Sequence, residues 1–187
     1  MNPNEAKIIG HLEADGSISN NRVGYYNKNA KLMRDFIRLF EETFNCKYWK
    51  IYENKTSLET GCAKKRIVKE IKAIQKKKKE LFNGRKSAIE FIKANFDDEC
   101  TIILIKRERG YDGEIKMWSL DKERLSFIVE LLFLHLGIKA KIYGPRKEKY
   151  YELKIMNKKD LKIFCENIKL EHPNKNTKQK KLLDSIN

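Results

Sequence analysis

The sequence predicts an α+β fold assembled twice: two pseudo-symmetric αββαββα halves, residues 1–82 and 83–187, each carrying a four-stranded antiparallel sheet. Three observations lead there. Two stretches, Ile8-Ile9-Gly10-His11-Leu12-Glu13-Ala14-Asp15-Gly16 and Ile92-Lys93-Ala94-Asn95-Phe96-Asp97-Asp98-Glu99-Cys100, read as diverged copies of one helix that ends in an acid. Each begins with helix-compatible apolar residues, has a small third residue (Gly10, Ala94) and carries a carboxylate at its eighth (Asp15, Glu99). A β-branched, strand-like run follows each acid, and an amphipathic helical stripe recurs further along each half.

The first helix is expected over about 5–15, with Asn4 as its cap. Gly10 and Ala14 lie one helical turn apart and form a small face that lets a partner helix approach closely; Ala94 serves similarly in the second copy. Packed side by side, the two motif helices would form the seam between the halves and bring Asp15 and Glu99 together at one end. Aligned peptide dipoles leave partial negative charge at a helix C-terminus, so a carboxylate there costs roughly 0.3 to 1 kcal/mol unless a cation offsets it. Two such acids invite a metal ion.

After the first motif, Gly16-Ser17-Ile18-Ser19 and Val23-Gly24-Tyr25-Tyr26-Asn27 read as strands, followed by a helix over 31–43 whose stripe is Leu32, Phe36, Leu39 and Phe40. The second half repeats the order. Residues 101–106 and Ile115-Lys116-Met117-Trp118-Ser119 read as strands, and Leu125, Ile128, Leu132 and Leu136 mark a helix over 122–136. Strand connections are expected at Asn20-Asn21-Arg22, Glu53-Asn54-Lys55, Gly110-Tyr111-Asp112-Gly113 and Gly144-Pro145-Arg146, from their Gly, Asn or Pro chemistry.

Charge narrows the partners. Lys and Arg number 41 against 26 Asp and Glu, a formal charge of +15 with pI near 9.6. Heat adaptation enriches both signs together, so the imbalance points instead to a polyanion, with nucleic acid the leading candidate. Cys46, Cys62, Cys100 and Cys165 are too widely spaced for zinc or a thioredoxin-like pair and are expected as free, mostly buried thiols. No signal peptide or membrane span is visible, since the longest apolar stretch, 127–138, is short and interrupted by Glu130 and His135; a cytoplasmic location follows.

The duplicated motif resembles the LAGLIDADG family of homing endonucleases in its single-chain, two-motif form, and the resemblance extends over nearly the whole chain. The first copy keeps Gly-x-x-x-Ala-Asp-Gly, and Leu170-Glu171-His172-Pro173-Asn174-Lys175 resembles the family's Leu-x-His-Pro-x-Lys ending. The second copy departs: Ala94 replaces the usual Gly, Asp98 stands where a small residue is expected, and Cys100 replaces the Gly after the acid. Gly commonly follows a helix where the chain turns left-handed, so Cys100 implies a different exit or some strain. The start at Met1 and the short length argue against an endonuclease embedded in an intein.

The resemblance implies a site-specific double-strand DNA endonuclease, dependent on Mg2+ with Mn2+ able to substitute, acting as a monomer with internal pseudo-twofold symmetry. It implies Asp15 and Glu99 as catalytic acids and metal ligands, Gly16 and Cys100 beside them in the metal set, and Lys175 and Lys178 as assisting cations. Lys76-Lys77-Lys78-Lys79 occupies a comparable place in the first half, without a single residue standing out; His11 and His135 read as packed helix residues. A saddle of two sheets would lie along the major groove, with Arg22, Tyr26, Lys28, Lys47, Lys106, Arg107, Arg109, Lys116, Lys139, Lys141, Arg146, Lys147 and Lys149 reaching phosphates or base edges. Alternation supports this: Arg22, Gly24, Tyr26 and Lys28 share one strand face while Val23 and Tyr25 share the other. The alternative is a binding protein that keeps the saddle without cleavage, an intron-RNA maturase or a DNA-binding regulator.

Overall fold

A computed structural model describes residues 1–46, 51–54, 56–82, 84–108, 110–146 and 149–186. Helix α1 (Pro3–Asp15) leads into strands β1 (Gly16–Ile18) and β2 (Val23–Asn27), helix α2 (Ala30–Phe44), strands β3 (Tyr52–Glu53) and β4 (Leu58–Cys62), and helices α3 (Lys65–Lys76) and α4 (Lys78–Leu81). The series then repeats as α5 (Arg85–Glu99), β5 (Thr101–Arg107), β6 (Gly110–Ser119), α6 (Lys122–Leu136), β7 (Lys141–Arg146), β8 (Tyr150–Ile155), α7 (Lys158–Asn167) and α8 (Pro173–Ile186). Both sheets are antiparallel and share one strand order, β1-β2-β4-β3 and β5-β6-β8-β7. The expected α+β fold with two four-stranded sheets is therefore what the chain adopts.

Contacts group the chain into two compact units, Met1–Asp98 and Glu99–Asn187. Helix α5, which opens the second sequence repeat, lies in the first unit for all but its last residue.

In the first unit the cap of α1 is Asn2, not Asn4. Pro3, which has no N–H to satisfy and a φ already suited to a helix, takes the first helical position; the Asn2 side chain accepts from the Asn4 N–H at 2.9 Å. The Glu5 carboxylate accepts from the Asn2 N–H at 3.1 Å, closing a capping box. Asn29 caps α2 by accepting from the Lys31 and Leu32 N–H groups, and Asn45 ends that helix in a left-handed conformation at φ 47°. The α2 stripe packs on the sheet's inner face, where the Phe36 ring stacks on Tyr25 with centroids 4.3 Å apart. Leu39, expected in that stripe, is half-buried beside it. Cys46 and Cys62 lie with sulfurs 3.4 Å apart, and all four cysteines are free and buried. Burial, reinforced by the hydrogen bond to Cys62, pushes the Cys46 thiol up to about 11.

In the second unit Ile102, Ile115, Met117, Leu153 and Ile155 line the inner sheet face against α6 and α8. Asp121 caps α6, and Gly137 closes it at φ 68°. Two expected turns are strand instead. Gly110 and Gly113 pair with Arg107 and Leu104 inside the β5–β6 hairpin; a Cβ on Gly113 would stand 2.4 Å from the Ile103 carbonyl oxygen, so this glycine serves close backbone approach, not reversal. Gly144-Pro145-Arg146 lies within β7, where the register shifts between Tyr143 and Arg146 in a bulge.

Candidate functional site

Helix α1 meets α5 through Gly10. A Cβ there would lie 2.7 Å from the Ala94 Cβ and 2.7 Å from the Phe91 carbonyl oxygen, so Gly10 and Ala94, two of the small residues read from the sequence, stand where the two helices approach closely. Five residues on, Asp15 ends α1 and Gly16 opens β1 at φ −114°. That is extended backbone, not the left-handed turn expected of this glycine. Gly16 is needed for space: a Cβ would sit 2.5 Å from the Leu12 Cα and 2.6 Å from its carbonyl oxygen. Among the described residues the non-glycine with positive φ is Asn45, so Cys100, 3% exposed, also leaves its helix without a left-handed turn. The replacement of Gly by Cys therefore sets up no conflict of backbone handedness.

Around Asp15 the first unit builds a polar network that the sequence did not announce. Asn27, on the inner face of β2, donates from Nδ2 to Asp15 Oδ2 at 3.3 Å and to Asp98 Oδ1 at 3.0 Å. The Tyr25 hydroxyl donates to the same Asp98 oxygen at 2.7 Å, and His11 Nδ1 lies 2.8 Å from the other. The Asp98 side chain is fully buried, and a carboxylate removed from water is tolerable only when donors surround it, as here. Burial first and the Asp98 charge second hold the Tyr25 phenol far above its ordinary range, so it stays a donor. His11 is a packed helix residue, as expected, wedged edge-on between Tyr25 and Phe36. The one signal in the sequence was Asp98 itself, an acid at a motif position expected to be small.

Glu99, the last residue of α5, is paired within the second unit with Arg124 Nη2. Arg124 is 6% exposed and sits third in α6 after its cap, and no sequence pattern had singled it out. In the first lysine cluster, Lys78 Nζ lies 3.0 Å from both carboxylate oxygens of Glu13 on α1. Lys175 is half-buried in the first turn of α8 and Lys178 is exposed. Gln179 anchors that helix, accepting from the Leu170 N–H at 3.2 Å and donating to the Ile168 carbonyl.

The expected nucleic-acid face is basic but not purely so. Arg22 is bound to Glu59 at 2.6 Å across β2 and β4; Tyr26 is half-buried and Lys28 exposed. On the outer face of the second sheet, Lys116 lies 3.5 Å from Glu114 and 3.6 Å from Glu152, Lys154 lies 3.3 Å and 3.5 Å from the same acids, and Arg146 reaches Glu152 at 3.2 Å. Arg107 pairs with Asp112 at 3.2 Å. Lys139, Lys141 and Lys149 are exposed. Lys106 is exposed too, but its register opposite Tyr111 puts it on the strand face of Ile102 and Leu104, away from Lys116. Lys47, Arg109 and Lys147 lie outside the described residues.

Among the described residues no three His, Cys, Asp or Glu side chains cluster as a closed metal cage. Magnesium does not ask for one: it is usually held by one or two carboxylates, with water and phosphate oxygens filling the remaining positions. Asp15 and Glu99, hard oxygen donors that are each partly exposed, suit that role; the buried thiol of Cys100 is too soft for it, leaving only the backbone carbonyl of that residue. No helix among the described residues is long and apolar enough to cross a membrane.

The family described as LAGLIDADG-like domain matches residues 86–169. The fold is similar to that of mesophilic variants of the homing endonuclease I-DmoI, with a TM-score of 0.72 at 17% identity over 91% of this chain and 91% of that one. A variant of I-DmoI in complex with its target DNA in the presence of Mg gives 0.72 at 19% identity over 89% of this chain and 95% of that one, and other I-DmoI complexes hold DNA with Mn or Ca. The N-terminal LAGLIDADG domain of DUF199/WhiA gives 0.63 at 15% identity over 94% of this chain and 88% of that one. No curated protein matches the chain by sequence.

Proposed function

We propose that this chain, which carries a LAGLIDADG-like domain over residues 86–169 and shares the fold of a homing endonuclease, is a site-specific double-strand DNA endonuclease dependent on a divalent cation. The observation that carries the reading is the retention of an acid at the end of each repeated helix, Asp15 on α1 and Glu99 on α5, each followed at once by a strand of its own sheet. A protein that only binds DNA gains nothing from carboxylates beside phosphates.

Each acid serves one strand. In each cut a water oxygen forms a bond to phosphorus, the bond from phosphorus to the 3′-oxygen breaks, the water proton passes to solvent and the departing oxygen leaves as a hydroxyl. Bound at the carboxylates, Mg2+ would lower the pKa of water and stabilise charge on the phosphate oxygens. The chain's part is positioning: the Asn27 amide fixes one oxygen of Asp15, and the Gly16 and Cys100 carbonyls flank the acids. Lys78, held near the end of α1 by Glu13, and Lys175 and Lys178 at the start of α8 supply positive charge to the phosphates. The excess of basic residues drives binding through counterion release, and the exposed Lys28, Lys139, Lys141 and Lys149 are its phosphate contacts.

The test challenges the purified protein with a randomised duplex library and Mg2+, then sequences the broken ends. Recurrent staggered breaks with short 3′ overhangs are expected, lost in Asp15→Asn with binding retained. Enrichment of intact duplexes without breaks, or full cleavage by Asp15→Asn, would overturn the reading; the first result would identify a binder.

A further inference from the structure

Because the elements repeat, positions of one half have counterparts in the other. Asn45 closes α2 and Gly137 closes α6, both in the left-handed conformation, and the residues that follow them are Cys46 and Ile138. Cys62 ends β4 opposite Val23, as Ile155 ends β8 opposite Ile115. All four are buried, between 0% and 3% exposed. Two isoleucine positions of the second half are thus both cysteine in the first, and these are the two cysteines whose sulfurs lie 3.4 Å apart. One buried cysteine is an ordinary small core residue. Two that stand together at positions of larger residues, sulfur against sulfur, can do chemistry that isoleucine cannot.

The contact lies wholly within the first unit. A disulfide holds its sulfurs about 2.05 Å apart, so each sulfur has to move by less than about 1 Å to form one. The corner is tethered already, because Arg66 Nη2 on α3 donates to the carbonyl oxygen of Phe44 at the end of α2, at 3.1 Å. Burial pushes the Cys46 thiol up to about 11, so little thiolate is present at neutral pH and oxidation starts slowly. Contact then makes the second step fast.

We propose that Cys46 and Cys62 are a redox staple: a peroxide joins them in a disulfide that closes one covalent loop over residues 46–62, strands β3 and β4 within it, and a low-molecular-weight thiol reopens it by exchange. In the first step one sulfur, as thiolate, attacks a peroxide oxygen. The S–O bond forms, the O–O bond breaks, and the departing hydroxide takes up the thiol proton as water. In the second step the other sulfur attacks the sulfenic sulfur, the S–S bond forms, the S–O bond breaks and a second water leaves. Two thiols are oxidised and one peroxide is reduced to two waters. A neighbour in contact captures the sulfenic acid before more peroxide carries it to the irreversible sulfinic acid. The closed loop restricts the unfolded chain and so stabilises the folded one. None of this depends on the endonuclease reading.

The test treats the full chain with hydrogen peroxide and compares it with untreated protein by intact mass, non-reducing peptide mapping and thermal unfolding. The product should be about 2 Da lighter through loss of two hydrogens, with Cys46 and Cys62 in one cross-linked peptide. Its Tm should be higher by about 6–12 °C, the shift for a loop of roughly 15 residues in a chain of this size. Dithiothreitol should reverse both changes, and Cys46→Ala or Cys62→Ala should abolish them. Where a variant fails to fold, the peptide map of the unsubstituted chain decides. Retention of all four thiols, sulfinic or sulfonic acid at Cys46 or Cys62 in place of the cross-link, or a disulfide that includes Cys100 or Cys165 would overturn the inference. So would a mass loss that survives either substitution, or a cross-link that leaves the Tm unchanged.

Discussion

Replacing Gly10 by alanine tests the helix crossing on which the placement of the motif helices depends. The new methyl would lie 2.7 Å from the Ala94 Cβ, 2.7 Å from the Phe91 carbonyl oxygen and 3.2 Å from Asn95 Nδ2. Carbon–carbon contacts settle at about 3.5–4.0 Å, so α1 and α5 must part locally by about 1 Å. Neither obstacle is the loose end of a long side chain. One is a Cβ fixed to its helix and the other is backbone. Overpacking of this kind costs about 1–3 kcal/mol, and the better helix propensity of alanine returns about 1 kcal/mol. The net expectation is a loss of up to about 2 kcal/mol in urea or guanidinium unfolding at unchanged m-value. Adding Ala94→Gly removes one of the two clashes, so the double variant should be more stable than the sum of the single changes predicts. If Gly10→Ala is more stable than the parent by the full alanine propensity, or the double variant is strictly additive, the helices do not meet at this point and the argument from small residues fails.

Asp98→Ala should cost about 3 kcal/mol or more in the same assay, because it strands the donors of Tyr25, Asn27 and His11 in the interior, and Asp98→Asn should cost less. Tyr25 keeps its proton in the folded chain above pH 10 while the unfolded chain loses it, so folding is opposed as pH rises: stability should fall by up to about 1.4 kcal/mol per pH unit there. Tyr25→Phe should remove that part of the slope, and an unchanged slope would refute the buried phenol–carboxylate pair. Asn2→Ala should cost about 1 kcal/mol through loss of the cap. Asn4→Ala should stay within about 0.5 kcal/mol; a larger effect at Asn4 would restore the cap first expected there.

How far the sequence could be read depended on the range of the interactions involved. Helices α2 and α6 were legible because periodicity is local, whereas turn chemistry placed both reversals of the second half inside strands; the close approach at Gly10 was legible because Gly10 and Ala94 stand at the same place in two copies of one motif. Glycine misled where its role depends on distant atoms. Gly113 is expected in a reversal, and Gly16 stands where a helix commonly ends in a left-handed turn, yet each is small because a backbone carbonyl, of Ile103 or of Leu12, passes within a methyl's reach. The site was legible in its two terminal acids and opaque in its surroundings. Arg124 gains meaning only when it reaches Glu99 within the second unit, and Asn27 only when β2 folds back on α1 within the first; both placements are set by tertiary packing and carried by no local pattern.

Those surroundings follow one electrostatic logic. The last turns of α1 and α5 gather Glu13, Asp15, Asp97, Asp98 and Glu99 where the helix dipoles disfavour negative charge. The fold relieves this density by different means at different motif positions. Lys78 is spent on Glu13, at the sixth position of the first copy; Arg124 is spent on Glu99, at the eighth position of the second; Asp98, at the seventh, is buried under neutral donors and His11. Asp15 meets the Asn27 amide in the same network. A duplicated scaffold has thus kept its backbone symmetry in strand order and helix caps while the two equivalent acids meet different side chains, the Asn27 amide at Asp15 and the Arg124 guanidinium at Glu99.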